Sequence, residues 1–117
     1  MKIRNNAIFE LHAEYCRVLA NPKRLAIMAC LDVRELSVSE IAEAIETSLS
    51  TVSRHLSVLK GKHLVISRKE GTTVFYRPAD TRIIEACQLI RTVLIDTMKA
   101  RGEIAQGINP DEIIDVD

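Results

Sequence analysis

At 117 residues, 47% apolar and 27% charged, the chain has the make-up of one globular domain and not of a disordered segment. Its formal net charge is zero, yet five of the 16 acids follow Gly102 and none of the 16 bases does, so the first 101 residues carry +5. No apolar run approaches the ~20 residues of a membrane span, and the opening MKIRNNAIFELHAEYC lacks the apolar core of a secretory signal, so a soluble cytoplasmic protein is expected.

Taken in chain order, Ile8, Leu11, Tyr15, Cys16 and Leu19 recur at helical spacing and predict a first helix over about residues 5–20. Asn21-Pro22 then restarts the chain, because Asn can cap and Pro suits a first helical turn, and Leu25, Ile27, Met28 and Leu31 carry a second helix. Ser37 to Glu40 reads as a capping box for a short third helix with Ile41, Ala42 and Ile45. Thr47-Ser48 is the turn before a fourth, so helices three and four form a helix-turn-helix. After Leu64 the helical period gives way to alternation, and LVISRKEGTTVFYR predicts a hairpin turning at Glu70-Gly71. Asp80 caps a long last helix with Ile83, Ile84, Cys87, Ile90, Leu94 and Met98 in one stripe. The expected fold is mainly α with a small β-hairpin. Residues 1–101 are expected to form the domain, and residues 102–117 an acidic, flexible tail.

The stretch LSTVSRHLSVLKGKHLV (49–65) carries the functional argument. On a helical wheel Leu49, Val52, Leu56 and Leu59 share a narrow sector that packs inward, and Ser50, Thr51, Arg54, Ser57 and Val58 lie opposite. A face meant only to stay wet favours Glu and Lys, which are better helix formers. Short hydroxyls, Ser53 among them, instead let a helix approach a groove closely, and Arg54 can pair bidentately with guanine or with phosphate. Residues 49–77 hold six bases against one acid, and Arg68 and Lys69 near the hairpin tip would reach the flanking backbone. A helix-turn-helix followed by a basic hairpin is a winged helix. Double-stranded DNA is the expected partner, and a winged-helix protein-interaction module without DNA is the alternative.

LANPKRLAIM (19–28), ELSVSEIAEAI (35–45), LSTVSRHLSVLKGKHLV (49–65) and GTTVFYRPAD (71–80) resemble, in order and spacing, the ArsR/SmtB repressors of bacteria and archaea. The resemblance runs from about residue 8 to 100. It implies a winged-helix homodimer joined through its first and last helices, which binds an operator of two-fold symmetry and is released by an effector. Apolar stripes on both terminal helices suit that implication, and a two-fold dimer sets two recognition helices about one DNA turn apart. Where the family often has Ala-Gly before the first strand, this chain has Lys62-His63. His tolerates the left-handed backbone such a turn needs.

The family's metal sites can be checked position by position. The thiolate motif of the third helix falls on Ser37-Val38-Ser39-Glu40-Ile41, and hydroxyls do not replace thiolates for soft metals. In the last-helix zinc pattern Asp80 matches, but Arg82 and Val93 stand where histidines belong, and Asp96 alone is no ligand set. No metal is expected at the usual sites. Cys16, Cys30 and Cys87 are an odd number with no CxxC among them, which fits neither a disulfide framework nor zinc-finger spacing. Each can be read as a small core residue. The sharper reading makes Cys16 and Cys87 a thiol pair that oxidises, takes up persulfide sulfur or binds a soft ion such as arsenite or Cu(I). His12 reads as a packing or interface residue, and His55 as either structural support or a phosphate contact. The tail either solubilises or competes with DNA for the basic face. With no Cys-His constellation and no Gly-rich phosphate loop, the chain is not expected to be an enzyme.

Overall fold

The computed structural model describes residues 1–102; the acidic tail, from Glu103 onward, lies outside the described residues. The order is α1 (Asn6–Leu19), α2 (Pro22–Val33), β1 (Leu36–Ser37), α3 (Val38–Ala44), α4 (Leu49–Gly61), β2 (Val65–Glu70), β3 (Thr73–Pro78) and α5 (Thr81–Ala100). The helix starts follow their capping chemistry. Asn21 Oδ1 accepts from Lys23 N at 3.0 Å and Arg24 N at 3.2 Å, with Pro22 at the first helical position. The capping box is complete: Ser37 Oγ accepts from Glu40 N at 3.2 Å, and Glu40 Oε1 accepts from Ser37 N at 3.0 Å. That second bond is the main reason the Glu40 carboxyl is held below the usual range. Asp80 caps α5 by accepting from Arg82 N at 2.9 Å.

The helix ends around the helix-turn-helix share a different device. After α3, Thr47 N donates to Ala42 O at 3.0 Å and Glu46 N to Glu43 O at 3.3 Å, with Glu46 at φ 52°. After α4, Leu64 N donates to Leu59 O at 2.9 Å and His63 N to Lys60 O at 3.0 Å, with His63 at φ 60°. Both are Schellman closures that use a left-handed residue without glycine. His63 thus makes the turn expected of it.

The predicted hairpin is part of a three-stranded antiparallel sheet in the order β1-β3-β2. Leu36 pairs with Tyr76 and Ser37 with Phe75, so the wing is sewn to the start of the helix-turn-helix. Two residues are too few to show alternation, and the sequence gives no sign of β1. The β2–β3 turn is the two residues Gly71-Thr72, and Gly71 at φ 62° supplies the positive φ that such a short loop demands at its first position.

Ile27 and Met28 of α2, Ile41 of α3, Val52, Leu56 and Leu59 of α4, Leu64 before β2, Val65 of β2, and Ile84 of α5 are essentially sealed from solvent. Three of the four apolar positions expected to face inward on α4 do so. Leu49 does not: it is 55% exposed, because it opens the helix one turn before the first core contact at Val52. The terminal helices lend this core only a few side chains. Only Val18 and Leu19 of α1 are buried, and only Ile84, Cys87 and Ile95 of α5. Ile8, Phe9 and Leu11 of α1 and Leu89, Ile90, Val93 and Leu94 of α5 are each more than half exposed.

Candidate nucleic-acid interface

The outward face of α4 begins at its cap. Ser48 Oγ accepts from Thr51 N at 3.3 Å, donates to Thr51 Oγ1 at 2.9 Å and lies 3.3 Å from Ser50 Oγ. Arg54 Nη2 reaches the same Thr51 Oγ1 at 3.4 Å, a long bond that leaves the guanidinium loosely tethered and exposed. Ser50, Thr51 and Arg54 are therefore neighbours in a row of hydroxyls ending in a fork of N–H donors. Ser53 and Ser57 are exposed on the same helix, and neither hydroxyl makes a hydrogen bond among the described residues. This surface offers donors and acceptors at short reach, which is what a base edge requires.

The wing differs from the expectation in one respect. Arg68 lies across the sheet on acids: its Nε donates to Glu35 Oε1 at 2.6 Å and its Nη1 to Glu70 Oε2 at 2.7 Å, while the guanidinium stacks 4.9 Å from the Phe75 ring centroid. These carboxylates push its pKa still higher, and they also cancel its charge. Lys69 next to it is exposed and makes no ion pair among the described residues. Glu35→Gln is expected to strengthen binding to a random-sequence duplex roughly threefold at low salt, with the gain fading as salt rises. Fluorescence anisotropy over a salt series measures this, and an unchanged affinity would mean that Glu70 alone keeps Arg68 occupied.

A second basic group arises where the sequence reading placed no site. Lys23 Nζ donates to Thr47 Oγ1 at 2.7 Å, joining the start of α2 to the turn before α4. Arg24 Nε donates to His55 Nδ1 at 3.1 Å and its Nη1 to the Val18 carbonyl at 3.1 Å. Burial first, then the charges of Arg24, Arg54 and Lys23, hold the His55 pKa below its ordinary value and so favour the uncharged ring. The signal for this group was present in NPKR, which puts two bases into a first helical turn, where the helix dipole disfavours them. At the other end of α4, Lys60 Nζ bonds Ser67 Oγ at 2.7 Å and ties the helix to β2.

The thiols are unlike one another. Cys16 is exposed, while Cys30 and Cys87 are buried. Burial pushes the Cys30 thiol up. Cys87 is also pushed up, by burial first and further by the nearby Cys16, with Arg91 pulling the other way. The core reading thus describes Cys30 and Cys87 and does not describe Cys16. His12 is exposed on α1. At the start of α5 the Asp80 carboxylate is gripped by Arg82 Nη2 at 2.7 Å and Nε at 3.1 Å, which lowers its pKa to about 2. Among the described residues no three His, Cys, Asp or Glu side chains converge as a metal site, and no helix is long and apolar enough to cross a membrane.

Comparison with known proteins converges on the same architecture. Residues 21–67 match the family model described as bacterial regulatory protein, arsR family. The nodulation protein NolR of Rhizobium meliloti is 33% identical over 94 residues, covering 80% of this chain and 77% of that protein. The transcriptional activator HlyU of Vibrio cholerae is 39% identical over 74 residues, covering 63% of this chain and 68% of that protein. Among solved structures, a homodimeric winged helix-turn-helix DNA-binding domain of Mycobacterium bovis, determined by solution NMR, superposes with a TM-score of 0.74 at 32% identity, covering 86% of this chain and 93% of that one. With the hydroxyl-lined α4, the basic wing and this kinship together, the chain belongs to the ArsR family and is a winged helix-turn-helix DNA-binding transcriptional regulator.

Proposed function

We propose that the chain acts in the cytoplasm as a homodimer, joined through α1 and α5, that lays two α4 helices in the major groove of a two-fold-symmetric operator and represses transcription there. The observation that carries this reading is the division of the surface: apolar side chains are left uncovered on the terminal helices, while hydroxyls and bases cluster around α4. The homodimeric state of the Mycobacterium bovis domain supports it. Ser50, Thr51, Ser53, Arg54 and Ser57 read bases, and Lys69 meets the backbone. The regulator works without metal at the family's usual positions, since Arg82 already neutralises Asp80 and serines stand at 37 and 39. Its release runs through the thiols, with exposed Cys16 as the entry point and buried Cys87 as its partner.

The test is anisotropy on a duplex from upstream of the protein's own coding sequence, against a scrambled duplex, with reduced and diamide-oxidised protein. Arg54→Ala is expected to cost about 1–3 kcal/mol of specific binding and to change scrambled binding much less. Cys87→Ser is expected to bind normally and to resist oxidant. Specific binding that diamide leaves unchanged in the wild-type protein would remove the cysteine route, and weakening that persists in Cys87→Ser would remove Cys87 from it; either outcome leaves the regulator intact. Binding of neither duplex would favour a protein-interaction module instead.

A further inference from the structure

The cations at the start of α2 pose a question that the base-reading face of α4 does not answer. Lys23 and Arg24 stand in the first turn, where the exposed N–H groups already make a positive end. No acid among the described residues pairs with Lys23, Arg24 or Arg54, whereas Arg34, Lys62, Arg68 and Arg82 all have one. Yet both side chains are held in place by hydrogen bonds. Thr47 holds the Lys23 ammonium across the turn, and Arg24 is fixed between the Val18 carbonyl and His55. A cluster of like charges assembled by hydrogen bonds, at the cost of mutual repulsion, is arranged for an anion.

The histidine shows how that anion is met. The Arg24 Nε–H can only donate, so His55 Nδ1 must accept, and the neutral ring carries its proton on Nε2. That Nε2–H has no partner among the described residues. Ammonium, guanidinium and imidazole N–H are all donors, and none of these groups accepts. A phosphate oxygen takes donors alone, while most base edges mix donors with acceptors. His55 also follows Arg54 directly on α4, so whatever it binds lies beside the base-reading row.

We infer that Lys23, the free Nε2–H of His55 and the Arg24 guanidinium behind it form a seat for one phosphate of the DNA backbone, flanking the base-reading face of α4. The inference rests on the DNA-binding reading and adds the contact that sets the helix in register. Arg24 is a positioning residue: it fixes the tautomer and angle of His55.

The experiment compares operator and scrambled duplexes by anisotropy over a salt series, with thermal melts as a check on folding. His55→Phe is expected to weaken binding to both duplexes about tenfold with the salt dependence unchanged, because a neutral donor displaces no counterion. Lys23→Gln is expected to make the salt dependence shallower by about one per protomer on both duplexes. His55→Gln, which places an amide N–H near the position of Nε2, should retain most of the affinity. Arg24→Lys keeps the charge and loses the Nε donor, so it should weaken both duplexes, and combined with His55→Phe it should add nothing further. If His55→Phe melts early, Arg24→Lys and His55→Gln carry the decision. Unchanged affinity in folded His55→Phe or Arg24→Lys overturns the seat, as does a loss confined to the operator, which would make His55 a base contact. Wild-type protein that binds neither duplex would instead overturn the DNA-binding reading itself, and the seat with it.

Discussion

Placing carboxylates at Ile90 and Leu94 of α5 (Ile90→Asp with Leu94→Asp) is expected to yield a folded monomer that no longer holds its operator. The two side chains are 67% and 55% exposed in the single chain, so the domain core loses nothing by the change. In a dimer closed through α1 and α5 they lie in the interface, and burying each aliphatic side chain is worth about 1.5–3 kcal/mol. A two-fold interface counts every substitution twice. Four lost side chains, replaced by four carboxylates that resist desolvation, amount to a loss on the order of 10 kcal/mol, more than most protein dimers can absorb. Sedimentation equilibrium should show a monomer with wild-type helical circular dichroism. Operator affinity should then fall to that of a single head, because binding the second half-site is no longer intramolecular. A variant that remains dimeric would move the interface away from this face.

The second large effect belongs to the other side of the recognition helix. Leu56→Ala is expected to cost about 2–5 kcal/mol of stability, because Leu56 has no exposed surface and sits in the core shared with α2 and α3. That is a large share of the 5–15 kcal/mol typical of a whole domain. Ser57→Ala, one residue along and facing outward, should change stability by no more than about 0.5 kcal/mol while weakening operator binding. Urea denaturation and anisotropy on the same two proteins separate the roles. Equal destabilisation by both would mean that α4 does not divide into an inner and an outer face.

What the sequence disclosed and what it withheld divide by range. Caps at Asn21, Ser37 and Asp80 are contacts within three residues, and the residue types alone specify them. The inward set Val52, Leu56 and Leu59 follows from helical period. Leu49 has the same period but sits ahead of the packed turns, and periodicity cannot say where packing starts. The two pairings that redraw the interface, Arg68 with Glu35 and Arg24 with His55, join residues 33 and 31 apart. No local pattern encodes them. Arg68 therefore looked free in the sequence and is occupied, while Arg24 looked ordinary and holds a histidine in place. β1 was hidden for the same reason, since its two residues become a strand only when β3 arrives beside them.

The left-handed residues Glu46 and His63 have a consequence for how a signal can travel. Each sits in a short connection, residues 45–48 between α3 and α4 and residues 62–64 between α4 and β2, that is pinned back onto the preceding helix by its own backbone closure. The tie from Ala79 N to Leu64 O, at 3.0 Å, closes the far side of the wing onto the same block. With no slack between its parts, the reading head is a solid piece, and bending one part would mean breaking closures at both ends. An input at the apolar helices can therefore swing the whole head like the arm of a caliper, changing the span between two jaws and not the shape of either.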